Sequence, residues 1–305
     1  MSADIPFDRN FTLPHGAIEE VAPGIRRVVA PNPGPMTFTG TVTYIVGHGK
    51  VAIIDPGPDR ESHVEAVLDA VRNETVTHIF VTHTHRDHSP AVPALKQATG
   101  ALVLAEGPHR PARPLNIGEL NPLEGASDTS FVPDHALTDG EVIEGSGWAL
   151  EAVTTPGHTA NHMAYALRGA ETLFSGDHVM GWATSIVAPP DGSMRDYMHS
   201  LFKLRARSES IYLPGHGGAV HDAQRFVQHF IEHREAREAA ILRRLGKDEA
   251  DIQSLVRSIY IGLDPRLTGA AALSVLAHLE DLVARGIVMT DGAPSITGAY
   301  RLGVG

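Results

Sequence analysis

The sequence contains no cysteine. That excludes disulfides and thiolate ligands, so any bound metal must be held by imidazole and carboxylate. Positive charge is also short: 25 Lys and Arg face 36 Asp and Glu, a net charge of −11. This balance opposes general attraction to nucleic acid or anionic membrane, although it leaves room for a local basic groove. The opening MSADIPFDRNFTLP carries neither a basic start followed by an apolar core nor an Arg-rich, acid-poor amphipathic stretch. No export or organelle signal is therefore expected, and the chain is read as cytoplasmic. No apolar run approaches the roughly 18 to 20 residues of a bilayer span, so no membrane partner is expected.

What is present suits a globular enzyme. With 305 residues and 42% hydrophobic content, the chain can bury the core of one large domain, or of one large and one small. Residues 25–29, 41–46 and 51–54 are β-branched and apolar, with hairpin chemistry at 47–50. Residues 61–71 carry Val64, Val67, Leu68 and Val71 at helical spacing. A buried-strand pattern at 77–82 runs into THTHRDHSP, a helix follows at 91–100, and a strand follows at 102–105. Strand, loop, helix and strand in this order predict an α/β fold whose ligands gather beyond strand ends. The stretch 106–133, rich in Pro, Gly and Asn, reads as a flap over the site or as a surface insertion. Strands return at 148–154, 162–167, 171–174 and 211–213, with a helix at 194–207 between the last two. Beyond residue 220, helices at 221–245, 249–259 and 266–285 precede a small hairpin at 288–302, which is a winged-helix pattern.

The chemistry concentrates in four segments. His83, His85, Asp87 and His88 form H-x-H-x-D-H directly after an apolar strand, where a tight loop can aim several metal-binding side chains into one cavity. Downstream, TTPGHT contributes His158, LFSGDH contributes Asp177 and LPGHG contributes His216. With 18 histidines in the chain, any single one is more often a surface or packed residue than a ligand. Four ordered segments at strand ends are much harder to produce by chance.

In these motifs the sequence resembles the metallo-β-lactamase-fold hydrolases, whose motifs run Asp, H-x-H-x-D-H, His, Asp, His. The match covers roughly residues 17–218. The PGHT, SGDH and PGHG contexts and the winged-helix-like tail are most similar to the lactamase-beta-2-like branch. The resemblance implies an αββα sandwich at 1–220 with metals at one edge between two sheets, followed by a small winged-helix-like domain at 221–305. It implies a first metal on His83, His85 and His158, a second on Asp87, His88 and His216, and Asp177 bridging them. Asp55, in VAIIDPG, is implied to support the metal loop from behind.

Two Zn²⁺ are expected, ahead of Mn²⁺ or Fe²⁺. Such a pair can share a hydroxide for attack on a carbonyl or phosphoryl centre, with Asp87 as the catalytic residue that orients it or relays its proton. Lactam-hydrolysing members place Cys or Ser where Asp177 stands, which argues against antibiotic hydrolysis. Flavodiiron relatives replace the second His of H-x-H with an acid, so His85 favours zinc hydrolysis over redox iron. Mononuclear iron dioxygenases of the superfamily keep the whole ligand set.

Weaker candidates surround this set. His162, four residues after His158, is read as meeting substrate or hydrogen-bonding a ligand, or equally as a structural residue behind the ligands. His178 is read first as a packing residue at a strand end. Trp182, Ser185, Asp191 and Tyr197 are candidate pocket residues, although Trp and Tyr are more often core. Arg234, Arg237, Arg243, Arg244 and Lys247 are candidates for an anionic substrate, but interleaved Glu232, Glu235 and Glu238 favour a solvated, ion-paired helix face.

Three functions fit: hydrolysis of an ester, thioester or other small acyl or phosphoryl substrate; single-strand-specific cleavage of RNA; and a nucleic-acid-binding regulator with a vestigial metal site. From His221 onward, 10 Lys and Arg face 11 Asp and Glu, net −1, which leaves about −10 on residues 1–220. Few cations are available to track a phosphate backbone, so a small or medium acyl or phosphoryl substrate is expected ahead of RNA. The winged helix is then read as a pocket wall or a homodimer contact.

Overall fold

The computed structural model describes residues 5–303. Strands β1 (Ile18–Ala22), β2 (Ile25–Val29), β3 (Val42–Val46) and β4 (Lys50–Ile54) make an antiparallel meander. After helix α1 (Glu61–Ala70) the pairing turns parallel through β5 (Thr75–Phe80), helix α2 (Val92–Thr99), β6 (Leu102–Ala105) and β7 (His135–Ala136). The change follows from the connections, since tight turns join β1 to β2 and β3 to β4, whereas parallel neighbours need longer crossovers. The seven strands lie in sequence order.

The second sheet contains β8 (Val142–Glu144), β9 (Ala149–Thr154), β10 (Met163–Leu167) and β11 (Thr172–Gly176). Helix α3 (Met194–Arg205) then crosses over to β12 (Ile211–Pro214), and β13 (Val220–His221) completes the edge. Its order is β13-β12-β11-β10-β9-β8, with β11 and β12 the parallel pair that α3 connects.

Period-two alternation decides which side chains meet. Val42, Tyr44, Val46, Ala52 and Ile54 point between the sheets, where they meet Leu150, Ala152, Met163, Tyr165 and Phe174. Ile45, Val51 and Ile53 point outward onto Val67 of α1 and Leu95 of α2. On the far side Ala164, Leu173 and Tyr212 pack on α3 and on Phe226, Val227, Phe230 and Ile231 of helix α4 (Ala223–Leu245). The result is helix, sheet, sheet, helix, and strands covered on both faces read as nearly continuous apolar runs.

The C-terminal part holds β14 (Ala250–Asp251), α5 (Ile252–Ile259), α6 (Thr268–Ala284), β15 (Val288–Thr290) and β16 (Ala299–Leu302). Its own core contains Ile241 and Leu245 from the far end of α4, with Leu255, Val275, Leu279, Leu282 and Tyr300. Helix α5 starts later than its composition suggests, because Ala250 and Asp251 pair with β16. The Asp251 side chain then accepts from the Ser254 amide as a helix cap.

One expectation needs correction. By length and composition the 20-residue stretch Pro265–Ala284 is apolar enough to cross a bilayer. Its apolarity has another use here: Ala271, Val275, Leu276, Leu279 and Leu282 are buried in the C-terminal core.

Candidate metal centre

Every residue of the cluster stands just beyond a strand or in a loop closed by glycine. Asp55 follows β4 with φ of 52°, a left-handed conformation that is uncommon for a residue with a side chain and marks a constrained site. From there its carboxylate accepts from the Thr82 amide at 2.7 Å, from Thr82 Oγ1 at 2.8 Å and from His88 Nδ1 at 2.9 Å. Asp55 therefore ties both ends of the H-x-H-x-D-H loop to the neighbouring strand. Gly176 lets Asp177 approach, because a Cβ there would stand 2.7 Å from His162 Nε2 and 2.9 Å from Thr82. At Gly215 a Cβ would meet Asp177 Oδ1 and His88 Cε1, each at 2.6 Å.

The seven expected ligands come together in two sets. In the first, His83 Nε2 lies 2.9 Å from His85 Nδ1, and His158 Nε2 lies 3.1 Å from the same atom. Asp177 Oδ2 stands 3.9 Å from His83 Nε2 and 3.8 Å from His158 Nε2. In the second, His216 Nε2 lies 3.1 Å from Asp87 Oδ2, and His88 Nε2 lies 3.4 Å from it. Asp177 also belongs to this set, at 3.5 Å from His88 Nε2 and 3.3 Å from His216 Nε2. One carboxylate thus faces both groups.

Outer hydrogen bonds decide which nitrogen of each ring points inward. Thr82 Oγ1 donates to Asp55, so it accepts from His83 Nδ1 at 3.0 Å. His158 Nδ1 donates to the Ile186 carbonyl at 2.6 Å, His216 Nδ1 to the Gly40 carbonyl at 3.3 Å, and His88 Nδ1 to Asp55. Once these four rings are neutral, as metal binding requires, Nε2 of each is a lone pair aimed at the cluster, and His85 presents its Nδ1 there. His88 Nε2 and Asp177 Oδ1 are buried without a hydrogen-bond partner. Ligands of a tetrahedral zinc, at about 2.0–2.1 Å from the ion, lie about 3.3 Å from one another, and the distances above bracket that value. The residues fit a metal.

The electrostatics agree. Burial opposes charge on His88, yet Asp87, Asp177 and Asp55 hold its pKa well above the usual imidazole range. His216 is likewise buried and is pushed up to about 10 by Asp177 and Asp87. Burial would raise Asp87 and Asp177, but His88 and His216 keep both well below the usual carboxylate range. His83, His85 and His158 go down, mainly by burial, His85 to about 3. The carboxylates call for a cation in their midst, while the trio of neutral imidazoles has the form that binds metal.

The weaker candidates separate clearly. His162 is buried beside the ligands; its Nε2 accepts from the Asp177 amide at 3.1 Å, and its Nδ1 donates to Thr155 Oγ1 at 2.8 Å. His178 is buried with both ring nitrogens unpartnered. Tyr197 is fully buried and donates to the His178 carbonyl at 2.8 Å, which places it behind the loop 178–187 rather than in an open cleft. Ser185 Oγ donates to the same carbonyl. Trp182, half-buried, stacks on Phe38 at 4.9 Å beside Gly217. Asp191 is buried and accepts from Asn121 and Ser127, so it tethers the 106–133 stretch, whose Arg113 also reaches Glu280 on α6 at 2.6 Å.

The helix-face reading of the arginines fails at Arg234. It is 3% exposed and pairs with no carboxylate among the described residues. Arg244 pairs with Asp248, and Glu238 pairs with Arg285, the residue that caps the C-terminus of α6. Thr82, Thr41 and Thr155 escaped notice in the sequence. The signal for Thr82 and Thr155 was adjacency to the motifs, whereas Thr41 reaches Asp87 Oδ2 at 3.2 Å only through the fold.

Comparison with known proteins places the chain in a family. The family model for the metallo-beta-lactamase superfamily matches residues 36–216, and that for the beta-lactamase associated winged helix domain matches residues 252–295. The chain is 30% identical to the lactamase-like protein adaB of Aspergillus niger over 91% of its own length and 86% of the relative. It is 32% identical to an atrochrysone carboxyl ACP thioesterase of Aspergillus fumigatus, over 74% of its own length and 66% of that protein. Among solved structures, a beta-lactamase domain protein from Burkholderia ambifaria superposes with a TM-score of 0.78 at 20% identity, covering 97% of each chain. A metallo-beta-lactamase family protein from Thermus thermophilus superposes with a TM-score of 0.73 at 24% identity, covering 93% of this chain and all of the other. These likenesses are of fold.

Proposed function

The chain belongs to the metallo-beta-lactamase superfamily and is a hydrolase of that class, and from that premise we propose that it holds two zinc ions and cleaves a thioester or a related small acyl ester. The observation that carries the reading is Asp177, which faces His83, His85 and His158 on one side and Asp87, His88 and His216 on the other. When bound, the ions supply Lewis acidity and a water pKa lowered toward neutrality.

The chain's own residues do the rest. Asp87 has the most exposed carboxylate of the set, 24% against 8% for Asp177, so it meets the attacking water and takes its proton. Thr41 Oγ1 donates to Asp87 Oδ2 and holds that carboxylate at the rim. Asp55 and His162 keep the ligands aligned from behind. Support for an acyl substrate comes from the thioesterase relative and from charge, because three of the five candidate cations on and just after α4 are engaged: Arg234 is buried, Arg237 lies over Tyr260 and Arg244 pairs with Asp248, which leaves Arg243 and Lys247 exposed.

The test is turnover by zinc-loaded protein on parallel panels of acyl thioesters and phosphodiesters. Thioester cleavage that a chelator stops and zinc restores is the expected result. Phosphodiester cleavage alone, together with tight single-stranded RNA binding at physiological salt, would put the endoribonuclease reading in its place.

A further inference from the structure

The strongest unused feature lies behind His158. Arg234, at the middle of α4, is 3% exposed and has no carboxylate partner among the described residues. An unpaired buried charge is costly, commonly by several kcal/mol, so its position needs a reason. Its guanidinium donates to the Ser185 carbonyl and lies 5.0 Å from the centre of the Tyr197 ring. The next carbonyl along the chain, that of Ile186, accepts from His158 Nδ1 at 2.6 Å. The same short segment is therefore held from behind by an arginine and holds a cluster histidine in front. Ser185 Oγ and the Tyr197 hydroxyl both bond the His178 carbonyl at 2.8 Å, which closes the loop on itself.

We propose that Arg234 is a positioning residue for His158: it clamps the 185–186 backbone so that the Ile186 carbonyl keeps the imidazole in the tautomer and orientation that point Nε2 at the metal. Outer hydrogen bonds of this kind set ligand basicity and geometry, and their loss typically weakens metal binding about ten- to a hundredfold. Arginine suits the task because its planar fork spans a carbonyl and an aromatic face at once, which an ammonium does not.

The same helix carries a natural control. Arg237, one turn further on, makes the matching embrace on the other side: it donates to the Ile259 carbonyl at 3.1 Å and lies 4.5 Å from the Tyr260 ring centre. Arg237 clamps the C-terminal core, whereas Arg234 clamps the loop behind the metal centre.

The inference rests on the metal-centre reading, and its test measures binding without any substrate. Full-length protein is stripped of metal and titrated with Zn²⁺ against a chromophoric chelator, and with Co²⁺ for its absorption spectrum. Arg234→Met should weaken binding of one ion about ten- to a hundredfold and shift the Co²⁺ bands, with Arg234→Lys recovering part of the loss. Arg237→Met should lower the melting temperature and leave zinc affinity as in the wild type. Wild-type affinity and spectra in both Arg234 variants would overturn the proposal, as would equal weakening by Arg237→Met. Should Arg234→Met fail to fold, Arg234→Lys carries the same comparison. A wild-type chain that takes up no metal would instead sink the metal-centre reading, and this inference with it.

Discussion

His88 and His216 face Asp87 and Asp177, whereas His178, His233 and His278 lie within the field of Arg234. Burial disfavours charge in both places, yet the carboxylates raise the pKa of the metal-free first pair above the usual range while each of the other three is pushed down to about 3. The neighbours' sign makes the difference. Concentrated carboxylate turns one group into a trap for cations, and burial beside Arg234 keeps the other neutral. Histidine count alone distinguishes nothing.

The sharpest way to break this contrast is Asp177→Ala, which removes the carboxylate shared by both ligand sets. Turnover should fall about a thousandfold, or about 4 kcal/mol of transition-state stabilisation, with bound metal reduced in elemental analysis. Unchanged stoichiometry would mean that Asp177 faces the sets without joining them. On the other side, Leu279→Ala opens a hole in the C-terminal core, where Leu279 is fully buried. A loss of about 2–5 kcal/mol in urea unfolding is expected, with zinc affinity unchanged. Coupled loss of metal would show the two regions to be less separate than their cores suggest.

His162→Ala should reduce turnover about ten- to a hundredfold, because Asp177 would lose the acceptor that holds its amide. Asp87→Ala should abolish turnover with the fold largely intact. Equal losses in these two variants would put His162 in contact with the reaction itself.

The smallest effect concerns pH. His233 and His278 titrate near 6.5 when unfolded and near 3 when folded, so the unfolded chain binds more protons between those values. Their contribution is present above about pH 6.5 and fades as pH falls toward 3, by about 1 kcal/mol per group at pH 5.5. Urea unfolding of the metal-free chain at pH 7 and pH 5.5 should show this slope, and His278→Phe should flatten it. No change in slope would place His278 in contact with water.

The cluster was legible in the sequence because its ligands sit in loops at strand ends, where the H-x-H-x-D-H spacing marks the first loop and glycine marks the other three. His83, His85, Asp87, His88, His158, Asp177 and His216 stand out from the other histidines by that context. Most strands were legible from β-branched runs, but short edge strands such as β7, β8, β13 and β14 carry too few residues for any period to show. Arg234 was misread even though it shares the apolar stripe of α4 with Val227, Phe230, Ile231 and Ile241. Composition assigned it to the solvated face, and its spacing pointed inward.

By itself the sequence determined which side chains could ligate, in what order they come and which layers they follow, because residue type and local period depend only on near neighbours. Tertiary structure alone decided which nitrogen of each imidazole points inward, which backbone carbonyl fixes it and which arginine is buried. Those outcomes depend on partners far apart in the chain, such as Asp55 with His88 across 33 positions and the Gly40 carbonyl with His216 across 176. No local pattern carries a hydrogen bond that only the closing of two sheets can form.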